Sequence, residues 1–186
     1  MKQVFFRTLI ATALVSSAAI GVFITLVLVF YKNPLNSVPK GFDWLFFIGM
    51  PVWAMLYYKL KVNNRTLIFQ EGLVMGALVS FAMIFTFAAT IAIACSVNEN
   101  ILNIYIKDWL TDLVNNKELW VKRLQTTQDY EKLLSSYQNL TLGQYLFKEL
   151  AGKMVLLLLV SVVGATAFRG EPQAVSNKTT SKKKKV

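Results

Sequence analysis

The chain has no histidine, so the side chain that most often serves as general base or metal ligand is missing from all 186 residues. It has one cysteine, Cys95, which excludes an intrachain disulfide; lying in an apolar run, it reads as a small packing residue. Charge is scarce as well. Only 16% of residues are charged against 55% hydrophobic, and the mean hydropathy is +0.47, too oily for an ordinary soluble domain. Carboxylates do not cluster at metal-ligand spacing: Asp108 and Asp112 lie one helical turn apart with no third ligand, and read as a solvated helix face. Together these absences argue against an enzyme and imply no cofactor and no metal site.

What the chain does have is long apolar runs. Leu9 to Phe30 carries no charge, and at ~1.5 Å per residue it covers the ~30 Å hydrocarbon core of a bilayer. Lys2 and Arg7 before it, and the small residues Ser16 to Ala19, also suit a signal peptide. The run continues to Phe30, however, past the ~7–15 residues of a usual signal core, and is read as a first span over 9–30. A second run, 42–60, holds Pro51 at its centre, which predicts a kink, and is flanked by Trp44, Tyr57 and Tyr58. A third covers 73–94, and a fourth, 151–168, is short unless Lys153 snorkels to the interface. The expectation is four transmembrane helices without interior charge, a condition that argues against proton coupling.

The composition changes between 97 and 150, where seven acidic residues face six basic ones. Ile101, Tyr105, Trp109, Leu113, Trp120 and Leu124 recur at helical spacing; Tyr130, Leu133, Leu134 and Tyr137 repeat the pattern after Thr126-Thr127. Two amphipathic helices are predicted here, with Trp109, Leu113 and Trp120 as a face toward a partner or the membrane surface. Thr141 followed by Gln144 has the form of a capping box, so a helix should start at Leu142 and lead into the fourth span. Asn139-Leu140-Thr141 also fits a glycosylation sequon, a triplet common by chance. The segment 169–186 is polar and unperiodic, ends in Lys182, Lys183, Lys184 and Lys185, and reads as a disordered cytoplasmic tail.

The net charge of +10 takes its meaning from its location. Eleven lysines and arginines flank the spans on the side of both chain ends, and the nine on the other side are diluted by carboxylates. By the positive-inside rule the termini lie in the cytoplasm and the 97–150 loop outside, in the periplasm of a bacterium. The terminal lysines could hold anionic lipid or merely enforce topology. With no aromatic residue to stack on bases, they do not point to nucleic acid. Small residues at Ala13, Ser17, Gly21 and Thr25, and at Gly72, Gly76 and Ser80, mark faces where helix backbones approach closely, within the bundle or against another protein. The hydroxyls of Ser80, Thr86, Thr90, Ser96, Ser161 and Thr166 are expected to bond to carbonyls one turn back.

The loop into the third run, Tyr57-Tyr58-Lys59 through Asn63-Asn64 to Leu67-Ile68-Phe69-Gln70-Glu71-Gly72 with Gly76 following, resembles a family of small Bacteroidota inner-membrane proteins, domain of unknown function 4199. The likeness covers most of the chain; the lysine-rich tail is not a feature it predicts. It implies a four-helix architecture, a Bacteroidota source and an inner-membrane location, and offers no catalytic residues. The sequence therefore reads as an all-α integral membrane protein with four transmembrane helices and an amphipathic helical segment between spans three and four. Its expected role is a non-enzymatic accessory or scaffolding subunit that meets the lipid bilayer and another membrane protein or itself. The alternative is a small transporter or channel formed by oligomerisation.

Overall fold

An apolar run without glycine clusters or proline has no reason to leave the helix, and Lys2–Phe30 forms one continuous helix, α1. The chain, seen here in a computed structural model that describes residues 2–170, then makes two 3-10 turns, Pro34–Asn36 and Pro39–Phe42, each opened by a proline. Helix α2, Asp43–Tyr57, passes through the buried Pro51 and ends in a π-turn, Tyr58–Val62. Helix α3 covers Phe69–Val97. Outside the bundle come α4 (Asn100–Asn115), α5 (Lys117–Leu124) and α6 (Thr127–Gln138), followed by α7, Leu142–Ala167. The described residues thus form an all-helical fold, and four of its segments are long and apolar enough to cross a membrane: Gln3–Phe30, Pro39–Val62, Phe69–Val97 and Leu142–Ala167.

The last of these begins at Leu142, as the Thr141 and Gln144 pattern predicts, and the cause is local. The Thr141 hydroxyl accepts from the Gln144 N–H while the Gln144 side chain accepts from the Thr141 N–H, so a complete capping box starts the helix at Leu142 and nothing interrupts it before Ala167. The segment between spans differs from expectation: it holds three helices, not two. The expected first helix breaks at Asn116, whose side chain turns back to the Asp112 carboxylate. Asparagine competes with the helix by such local bonds. Gln125, with a φ of 67°, ends α5, and the Thr126 hydroxyl caps α6 by accepting from the Asp129 N–H at 3.0 Å.

The four long helices alternate in direction. Phe5 of α1 packs edge-on against Tyr58 after α2, and Gly170 bridges to Leu67 before α3, so one end of the bundle gathers both ends of the described residues and the α2–α3 loop. The other end carries the 3-10 turns and the cap formed by α4, α5 and α6. Between the helices the interior is filled by Ile20, Ile24, Phe47, Met55, Met75, Val79, Met83, Phe87 and Leu157, all essentially excluded from solvent. The outward faces remain strongly apolar: Val22, Val29, Leu45, Phe85, Val155, Leu158 and Val163 are all more than half exposed. Soluble monomers rarely show such continuous apolar surface.

Candidate functional site

The expectation of spans without interior charge is overturned. Lys153 lies in the middle of α7 with 1% of its side chain exposed, and its ammonium does not snorkel outward. It points across the bundle to Asp43, also 1% exposed, with Nζ 3.1 Å from Oδ2, and along its own helix to Glu149 Oε2 at 3.0 Å. Glu149 is shared with Lys40, whose Nζ donates to the same oxygen at 2.7 Å. Two lysines and two carboxylates therefore form one charge-neutral network linking the turn before α2, the start of α2, and α7.

Local structure explains each placement. Asp43 occupies the first turn of α2, where a carboxylate is favoured by the positive end of the helix dipole. Glu149 precedes Lys153 by four residues, the orientation in which a helical pair on one face attracts best. Aromatic rings from two further faces close around the Lys153 ammonium: its Nζ is 4.6 Å from the centre of the Phe87 ring, 5.1 Å from Trp44 and 5.6 Å from Phe47. A desolvated cation gains from such ring faces. The contact with Asp43 is an ion pair and not an aligned hydrogen bond, since Asp43 Oδ2 has no hydrogen-bond partner. Glu149 and Lys40, 24% and 12% exposed, lead from the network to the cap end of the bundle.

Above the network sits an aromatic cluster. Tyr145 is buried and meets Tyr105 edge-on at 5.0 Å; Trp109 stacks on Tyr137 at 5.1 Å and lies 6.0 Å from Trp120. Trp109, Leu113 and Trp120, expected to form an outward face, instead turn inward: Leu113 is fully buried, and both tryptophans are half-buried as the core of the cap. With three helices where two were expected, α5 and α6 can fold over that face. The Trp120 indole N–H donates to Asp112 at 3.0 Å, and the Lys148 ammonium sits 4.6 Å above the Tyr137 ring. Burial pushes the Tyr105 and Tyr137 phenols above their usual range, so both stay neutral well past neutrality. Asp129 is held below the usual carboxylate range by hydrogen bonds from Thr126 and Lys132.

The small residues fall at distinct contacts. A Cβ at Gly72 would lie 3.0 Å from the Ala165 Cα, and one at Gly76 would lie 2.9 Å from the Ser161 hydroxyl, so α3 and α7 touch at these two residues. Gly21 faces Thr86 of α3 at 3.2 Å. Ser17 is only half-buried, because the inward stripe of α1 runs through Leu9, Thr12, Ser16, Ile20 and Ile24. Thr86, Thr90, Ser96 and Thr166 bond to carbonyls one turn back. Ser80 and Ser161 depart from that expectation, as does Ser16: their buried hydroxyls have no hydrogen-bond partner. Ser161 fills the notch that Gly76 leaves. Lys182, Lys183, Lys184 and Lys185 lie outside the described residues.

Asp43 was the residue that sequence reading passed over. The signal was present as one acid in the first turn of an apolar run, together with a Glu-Lys pair four apart at the start of another. Among the described residues no three of Cys, Asp and Glu converge to hold a metal ion. Fold and site together define an all-helical protein whose four long apolar helices surround a filled core and a buried ion-pair network. Compared with family models, curated proteins and solved structures, the chain matches none.

Proposed function

We propose that this chain is a non-enzymatic, multi-pass protein of a bacterial inner membrane, with both termini cytoplasmic, and that it acts as an accessory or scaffolding subunit of a membrane complex. The proposed source and location rest on the resemblance of the segment from Tyr57 to Gly76 alone, since no family model matches the chain. The observation that carries the role is the filled interior: Met75, Val79, Met83, Phe87 and Leu157 occupy the space between helices where a conduit would run. The ion-pair network supports the same reading, because its charges balance internally and tie α7 to the turn before α2. Apolar grooves lie on the outside of the bundle, one of about 450 Å³ between α3 and α7 lined by Phe81, Phe85, Phe147, Ala151 and Met154. A rigid bundle with apolar outer grooves suits docking to another membrane protein or to a second copy. Crosslinking in native membranes, followed by extraction in a mild detergent, should recover the chain joined to a defined partner; recovery of the monomer alone would reject this role.

A second reading, a small transporter assembled by oligomerisation, is favoured by the Lys153–Asp43 pair, since ionisable side chains inside spans mark ion pathways in many membrane proteins. Reconstituted into liposomes, the protein would then give a saturable flux that K153M abolishes. Absence of flux removes this reading and leaves the first standing.

A further inference from the structure

At the end of the bundle opposite the cap, the α2–α3 loop is fastened to the exit of α7. The Gly170 N–H donates to the Leu67 carbonyl at 3.0 Å, and the two residues pair as an antiparallel bridge. To reach this position the loop turns through two residues in the left-handed region, Asn64 with a φ of 48° and Arg65 with a φ of 65°. Asparagine tolerates that conformation; for arginine it is costly and persists only where surrounding contacts hold it. Here the Arg65 N–H donates to the Lys59 carbonyl at 2.8 Å. The consequence is that the backbones carrying Lys59, Arg65 and Arg169 meet, although they come from segments about a hundred residues apart. A Cβ at Gly170 would lie 3.1 Å from the Arg65 carbonyl and 3.5 Å from Lys59 Nζ, and Arg169 is the adjacent residue.

Arg7 and Lys61 stand at the same end, Arg7 brought there by the packing of Phe5 on Tyr58. None of these five cations forms a salt bridge with a carboxylate of the described residues. Glu71, the acid nearest this loop among the described residues, accepts from the Tyr58 hydroxyl. Among the described residues this end has six cations against one carboxylate, and the other has nine against eight.

We propose that Lys59, Arg65 and Arg169 form a binding site for the phosphate-bearing headgroup of an anionic phospholipid in the surrounding bilayer. The proposal rests on the membrane reading above. Guanidinium groups present paired donors that match phosphate oxygens, and a loop pinned by a backbone bridge has little freedom left to lose on binding. The proposed site does not include the terminal lysines, which lie outside the described residues. The backbone that carries this cluster is pinned by the Leu67–Gly170 bridge, and a site held in place this way retains individual lipids.

The test uses the full chain in vesicles of equal phosphatidylglycerol and phosphatidylcholine, released into mild detergent for native mass spectrometry. The wild type should retain phosphatidylglycerol over phosphatidylcholine by roughly five-fold or more, the effect of about one surface cation. K59Q/R65Q/R169Q should lose most of that preference, and K182Q/K183Q/K184Q/K185Q should keep it. R65K/R169K preserves charge but not the paired donors and should fall between, which guards against misfolding of the triple variant. Equal retention of both lipids by the wild type, an undiminished preference in the triple variant, or loss through the tail substitutions alone would overturn the site. A chain found in the soluble fraction without detergent would instead defeat the membrane reading itself.

Discussion

Lys153 shows how a charge can be stable inside an apolar bundle: its ammonium is met by Asp43 and Glu149, and ring faces of Phe87, Trp44 and Phe47 cover the remaining directions. Removing the lysine leaves Asp43 buried without a countercharge, which costs far more than the pair contributes as a whole. K153M should therefore destabilise the protein by roughly 3–5 kcal/mol, and D43N/K153M by much less than the two single changes added together. Thermal unfolding in detergent across this double-mutant cycle checks it, and a K153M protein that melts with the wild type would sink the idea. Half of this pairing was legible in sequence. Glu149 and Lys153 are visibly one helical turn apart, but which way their shared face turns depends on where α2 packs. Asp43 by itself is indistinguishable from an ordinary acid at a helix start, and only the approach of α7 makes it a partner.

The cap formed by α4, α5 and α6 is held by aromatic contacts, and its pH response follows from them. Tyr105 and Tyr137 have phenols raised above their usual value chiefly by burial, so the folded cap favours their neutral form. A raised folded-state value means that this stabilisation is fully present below the unfolded phenol value of about 10 and is lost as pH climbs beyond it. Near-ultraviolet circular dichroism should hold steady to about pH 10 and decline above it, with Y105F shifting the decline to higher pH. A signal that declines well below that pH, or one Y105F leaves unmoved, would place the alkaline sensitivity elsewhere. Periodicity revealed the helical character of the cap and the Thr126 break. The break at Asn116 was not legible, because Leu113 and Trp120 keep a helical spacing across it; only the Asp112 bonds to Asn116 and Trp120 mark the turn.

For the molecule as a whole, the four apolar segments were legible because each is an apolar run of about 18 residues or more, the length a bilayer core requires, and alternation of direction follows from their connection in series. Under the membrane reading proposed above, charge assigns sidedness: the end with the α2–α3 loop has little acid to offset its cations, and the cap end is nearly balanced. The structure ties that distribution to shape, since the basic loop and the exit of α7 are joined at one end of the bundle by the Leu67–Gly170 bridge. In a C95S background, single cysteines at the exposed positions Asn64 and Glu118 report the two ends separately. A membrane-impermeant maleimide applied to intact bacterial cells should label E118C and leave N64C unmodified until the cells are opened. The reverse pattern would invert the orientation, and labelling of both positions from outside would mean that the bundle does not separate the two compartments.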